Sequence, residues 1–476
     1  MMTKLVLGGA MAACAVMVAC CAAVAMVKPN ALFSDNAVLQ QGCAVPVWGT
    51  ASDGEKVTVS LGKQVVSTIA VGGRWMVRLN PLKAGGPFTM TITGDNTVDV
   101  RNVMVGEVWI ASGQSNMEWP LAMSTGGPEG AAASKDPMLR LLTVPDNPCP
   151  KPIGEVDVSW QECSPETSPS FSGIAYFFAR NLRRSLKVPV GIIDASHGGT
   201  RIETWIPSRA VEDASELRRQ ARMFLPNEEL VVQNRPSVNY NGMIAPLIPY
   251  AFKGALWYQG ETNANLGVAF TYRGLLTTMI RTWRDDWGQG DFPFLVVQLP
   301  AAYKPSDEPK ESAWAELREA QSLAVGDCAR AAMVVCVEYG AEDLHPRDKE
   351  PFGARLELTA EAVGYGRRVA HQGPTYRSMR VAGDSIALSF ENTSGGLTAR
   401  GGEPSGFTIA GADHKFFNAR AEIRGRSVLV RSDRVPRPVA VRYGWADWPA
   451  GNLVNGVGFP AAPFRTDGFR LLTQPK

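Results

Sequence analysis

From Val103 onward the chain alternates short, wholly apolar runs with longer amphipathic ones, and few architectures accept that alternation. Val108 to Ala111, Val190 to Asp194, Gly254 to Tyr258, Phe294 to Gln298 and Met333 to Val337 have the length and texture of buried strands. Between them, Ile174 to Ser185, Tyr272 to Trp287 and Ala313 to Val325 have helical length and an apolar stripe. Strands and helices in alternation predict an α/β fold, a parallel sheet covered by helices, and such sheets gather functional groups at their strand ends.

The flanks read differently. Val57 to Leu61, Trp75 to Leu79 and Phe88 to Thr93 alternate with period two between Gly, Asn and Asp turns, as do Ser385 to Phe390, Arg426 to Arg431 and Val439 to Tyr443. Each set predicts a small antiparallel β domain. A chain of 476 residues exceeds one compact core, and the expected division is 1–25 leader, 27–103 β domain, 104–370 central domain and 374–476 β domain. The stretch from Pro120 to Ser170 shows no clear regular structure.

Lys4 precedes a nearly uncharged run from Leu5 to Met26 that ends in the small residues Ala23-Val24-Ala25, the pattern of a cleaved export signal. The expectation is a periplasmic or secreted protein, with a lipid anchor at Cys20 as the alternative. Lys plus Arg number 48 against 46 Asp plus Glu, so no global field draws the chain to nucleic acid or an anionic membrane. After signal removal five cysteines remain, and Cys149 with Cys163, both in an irregular Pro-rich stretch, are the expected pair in an oxidising compartment.

Gly113-Gln114-Ser115-Asn116 sets a serine on a tight turn at the end of a buried strand. A serine hydroxyl needs a base. Of four histidines, His371 and His414 belong to the C-terminal β region, and His197 sits beside glycines better suited as backbone donors. His345 follows a strand and two carboxylates. Asp343 is the first choice to orient it, with Glu342 a competitor. Donors for an oxyanion are offered by Gly198-Gly199 and by the Asn263 amide.

Four blocks together, GQSNMEWP at 113–120, GGTRIETW at 198–205, WYQGETN at 257–263 and DLHPR at 343–347, resemble the sialate O-acetylesterase family of SGNH hydrolases. The resemblance extends to LFSDNAVLQ at 32–40 and NGVGFPAAPFRTD at 455–467. It implies an SGNH-like central domain, Ser115 as nucleophile, His345 as base and Asp343 as acid, with Ser115, Gly199 and Asn263 forming the oxyanion hole. It also implies an O-acetylated sugar as substrate, sialic acid first and acetylated xylan or another glycan as alternative. A noncatalytic glycan-binding protein is the rival of a different class. Gln114, Trp119, Arg201, Gln259, Glu261 and Arg347 are the residues expected near substrate, an arginine suiting a sugar carboxylate; Trp119 and Trp205 are readings either as sugar platforms or as core. No metal motif and no dinucleotide or phosphate-binding glycine loop is present, so no cofactor is expected.

Overall fold

The computed structural model describes residues 26–213 and 232–475; the leader reading lies outside them. The protein is a mixed α/β structure built on a large central sheet, with further antiparallel sheets. Across the centre the strand order is Gln161–Cys163, Asp136–Thr143, Val190–Ser196, Thr97–Gly113, Gly254–Tyr258, Phe294–Val297, Ala331–Val334. The first runs antiparallel to its neighbour and the rest are parallel. Their inward and outward faces are both buried, which is why they read as continuous apolar runs.

The strand Thr97–Gly113 passes straight through the boundary expected at 103/104. Its first half pairs with Gly85–Thr93 of the N-terminal region and its second half with the central strands. One hydrophobic core therefore runs from Val27 to Ala360, and a second, from Ile386 to Phe464, belongs to the C-terminal strands.

Two corrections follow. The stretch 120–170 is not structureless: it contributes Asp136–Thr143, a parallel strand inside the sheet. Cys149 and Cys163 are not paired. Cys163 is buried at the end of a strand that is already held by pairing to Asp136–Thr143, and burial pushes its thiol up to about 12. Cys149 lies in the following loop system, its Sγ donating to Asn147 Oδ1 at 3.5 Å.

Helices pack as two pairs, Gly173–Leu186 on Glu350–Tyr365 and Ala269–Trp287 on Ala313–Gly326. The strand read at Met333 to Val337 leaves the sheet at Val334, and the chain beyond it turns toward the strand ends. Among the described residues no helix is long and apolar enough to cross a membrane.

Candidate active site

The three central strands end in Gly113, Ser196 and Tyr258, and every site block follows one of them or the edge strand Ala331–Val334. Gly113 has φ +145, and a Cβ there would lie 2.0 Å from the Tyr258 carbonyl oxygen. Only glycine lets the strand close onto its neighbour and turn at once. Gln114 then has an extended backbone, and Ser115 opens the one-turn helix Ser115–Glu118.

Ser115 Oγ lies 3.0 Å from His345 Nε2. Sequence reasoning thus paired two groups 230 residues apart, and the fold brings them into hydrogen-bond contact. Burial first, then the Lys349 ammonium, lowers the imidazole below its ordinary value, so the ring is neutral and basic at neutral pH. Its plane stacks on Trp119, centroids 5.2 Å apart and 24° between planes.

Asp343 is exposed and stands differently from the expected acid. Its Oδ1 accepts the His345 backbone N–H at 3.2 Å and its Oδ2 pairs with Arg347 at 2.6 Å. These contacts shape the loop, not the ring. Glu342 is also exposed and lies 4.0 Å from Lys304.

Of the two glycines, Gly198 abuts the nucleophile: a Cβ on it would sit 3.5 Å from Ser115 Cβ and 2.8 Å from Glu118 Oε2. Gly199, φ +69, is exposed, and its carbonyl accepts from Asn234. Asn263 is fully buried, donating to Glu203 Oε2 at 3.0 Å and accepting from Ile202 N and Gln259 Nε2.

The residues expected near substrate divide. Gln114, Gln259, Glu261 and Arg201 are each no more than 3% exposed and bond inward. Gln114 Oε1 accepts from Gln259 Nε2, which also reaches Thr200 O. Arg201 donates to the Asn234 carbonyl. They tie the ends of neighbouring strands and loops together. Trp205 is core, edge-on to Trp257 and donating to Thr200. Trp119 is half-buried and Arg347 exposed, the guanidinium 4.3 Å over the indole.

Sequence reasoning missed the acidic wall beside the serine and the buried groups under it. Burial pushes the Glu118 carboxyl up, and Asp146 adds to the rise. Asp194, wholly buried, is raised to about 7, chiefly by desolvation. Asn116 donates to Glu261 Oε1 at 2.6 Å and accepts from Lys349 Nζ at 2.6 Å. Asn116 stood in view beside Ser115, but nothing in Arg347-Asp348-Lys349-Glu350 distinguishes a buried lysine from a solvated one.

Together these groups can perform acyl transfer: a serine on a neutral imidazole, with backbone donors nearby. Residues 105–371 match the family model for carbohydrate esterase, sialic acid-specific acetylesterase. Sialate O-acetylesterase of Homo sapiens is 30% identical over 72% of each chain. That of Rattus norvegicus is 27% identical over 85% of this chain and 86% of its own. A crystal structure of a carbohydrate acetylesterase from Xanthomonas citri, 38% identical, superposes with a TM-score of 0.86 over 93% of this chain and 100% of that one.

Proposed function

Since the chain belongs to the sialic acid-specific acetylesterase family of carbohydrate esterases, and is thus a carboxylic ester hydrolase, we propose that it removes O-acetyl groups from sialic acids through an acetyl-serine intermediate. The observation that carries the mechanism is the 3.0 Å approach of Ser115 Oγ to His345 Nε2. In this reading the central region is an SGNH-type domain.

Ser115 Oγ attacks the acetyl carbonyl carbon while His345 Nε2 takes its proton. The resulting oxyanion is met by the backbone N–H groups of Ser115 and Gly199, with the Asn263 amide as third donor. The carbon–oxygen bond to the sugar breaks, and the sugar oxygen leaves with the proton from the imidazolium. Water then attacks the acetyl-serine by the same route, releasing acetate and restoring Ser115. Arg347, exposed over Trp119, supplies a charge suited to a sialate carboxylate. The apolar run after Lys4 supports export as the setting.

A second reading, an acetylated neutral glycan such as xylan, is favoured by one feature: the Glu118 carboxyl, with Asp146 near it, lies by Gly198 on the serine's side, where negative charge disfavours an anionic sugar. Acetate release from O-acetylated sialic acid and from acetylated xylan, with wild type beside Ser115→Ala, separates the two. Release from sialic acid, lost by at least about a thousandfold in the variant, is expected. Release from xylan alone keeps the mechanism and replaces the substrate, and undiminished release by the variant removes Ser115 as nucleophile.

A further inference from the structure

Asp343 does not touch the imidazole ring, so another device has to keep the nucleophile turn and the base loop in register. Asn116, next to Ser115, donates to the carbonyl of Leu344 at 2.8 Å, and Leu344 precedes His345. The same amide donates to Glu261 Oε1, and its oxygen accepts from Lys349 Nζ, both at 2.6 Å. One side chain therefore joins both halves of the site, and Lys349 fixes which way that side chain faces.

Lys349 is wholly buried. Its ammonium stands over three rings, Trp119 at 5.8 Å, Tyr258 at 5.5 Å and Phe352 at 5.9 Å. Trp119 is also the ring on which His345 stacks. Burying an ammonium is costly, and here the Asn116 bond, the buried Glu261 carboxylate and the three rings offset the cost.

We propose that Lys349 is a positioning residue for the acetyl transfer: bonded to Asn116, it locks the bridge from the Ser115 turn to the Leu344–His345 loop and keeps Ser115 Oγ on His345 Nε2. The proposal rests on the Ser115–His345 reading above. It carries an electrostatic consequence as well. The charged groups facing the imidazole are Asp343, Arg347 and Lys349; burial brings Lys349 down to about 7, so it is an ammonium through the acidic limb and there opposes protonation of the base.

The test uses the full chain and the preferred acetylated sugar. Lys349→Met keeps the length and the apolar packing and removes the charge and the donor. Its kcat is expected to fall about a hundredfold, the scale of a small misplacement of reacting groups, with KM changed by less than about threefold. The acidic limb of its kcat/KM profile moves to higher pH, because the imidazole then protonates more readily. Asn116→Ala breaks the same bridge but leaves the ammonium, so kcat falls alike while the acidic limb stays. The double variant is no slower than the slower single one, as two parts of one link require. Wild-type kcat and an unmoved acidic limb in Lys349→Met overturn the proposal. Should that variant fail to fold, wild-type kcat in Asn116→Ala overturns it instead. Activity surviving in Ser115→Ala would remove the underlying reading, a different result from an inactive Ser115→Ala beside an unimpaired Lys349→Met.

Discussion

At the scale of single residues the site works by contacts that spacing does not reveal. Asp343 and His345 stand two apart in sequence, a spacing that suits a side-chain bond in one loop. The fold spends the carboxylate on the His345 backbone N–H and on Arg347 instead, and the ring takes its orientation from Trp119. Where a carboxylate does orient a catalytic histidine, its amide replacement costs about 10⁴ in kcat. Here Asp343→Asn keeps the oxygen that accepts the N–H and loses an exposed ion pair of small worth. Its kcat/KM is expected to stay within about tenfold of wild type. Steady-state acetate release checks this, and a loss near 10⁴ would show that the carboxylate reaches the ring.

At the scale of elements, what the sequence made legible were the runs with one clear period: Val190–Ser196, Gly254–Tyr258 and Ala269–Trp287 lie close to where their patterns place them. Among the elements that escaped, two did so because each carries a residue that ordinarily contradicts it. Asp136–Thr143 includes Arg140, 1% exposed, whose charge is met by Glu162 at 3.0 Å and by Asn36; such a partner is invisible along the chain. Glu350–Tyr365 opens with Pro351 and contains Gly353, both of which read as breakers. Proline is tolerated in a first helical turn, and Gly353 marks where the helix crosses Gly173–Leu186. A Cβ there would lie 2.6 Å from Phe177 Cβ and 2.7 Å from the Phe178 backbone nitrogen. Gly353→Ala must therefore push two helices apart, an overpacking worth about 1–3 kcal/mol. Denaturant unfolding is expected to show that loss. Because Gly353 N–H bonds the Lys349 carbonyl at 3.1 Å, kcat should fall with it; unchanged stability would mean that the helix pair yields freely.

At the scale of the whole molecule, the C-terminal strands own a separate core and are joined to the catalytic region by a set of polar contacts centred on one buried arginine. Arg318, on the helix Ala313–Gly326, is fully buried and donates to four carbonyls. Leu299 at 2.7 Å and Pro300 at 2.7 Å follow a central strand, and Ala446 at 2.6 Å and Asp447 at 2.8 Å belong to the C-terminal region. Around it Ser312 donates to Asp447, Arg442 pairs with Glu311, and Arg465 pairs with Glu319. A planar guanidinium suits this task because its rigid fork serves several acceptors at once. Arg318→Met leaves those carbonyls buried and unpaired, at a cost of roughly 3 kcal/mol or more. The loss should appear as faster hydrogen exchange in 440–467 before the central sheet opens, since the second core then unfolds without waiting for the first. The serine and histidine lie outside this junction, so acetate release by the folded variant should stay within about twofold. Uniform exchange across both cores would mean that they unfold as one unit whatever holds the seam.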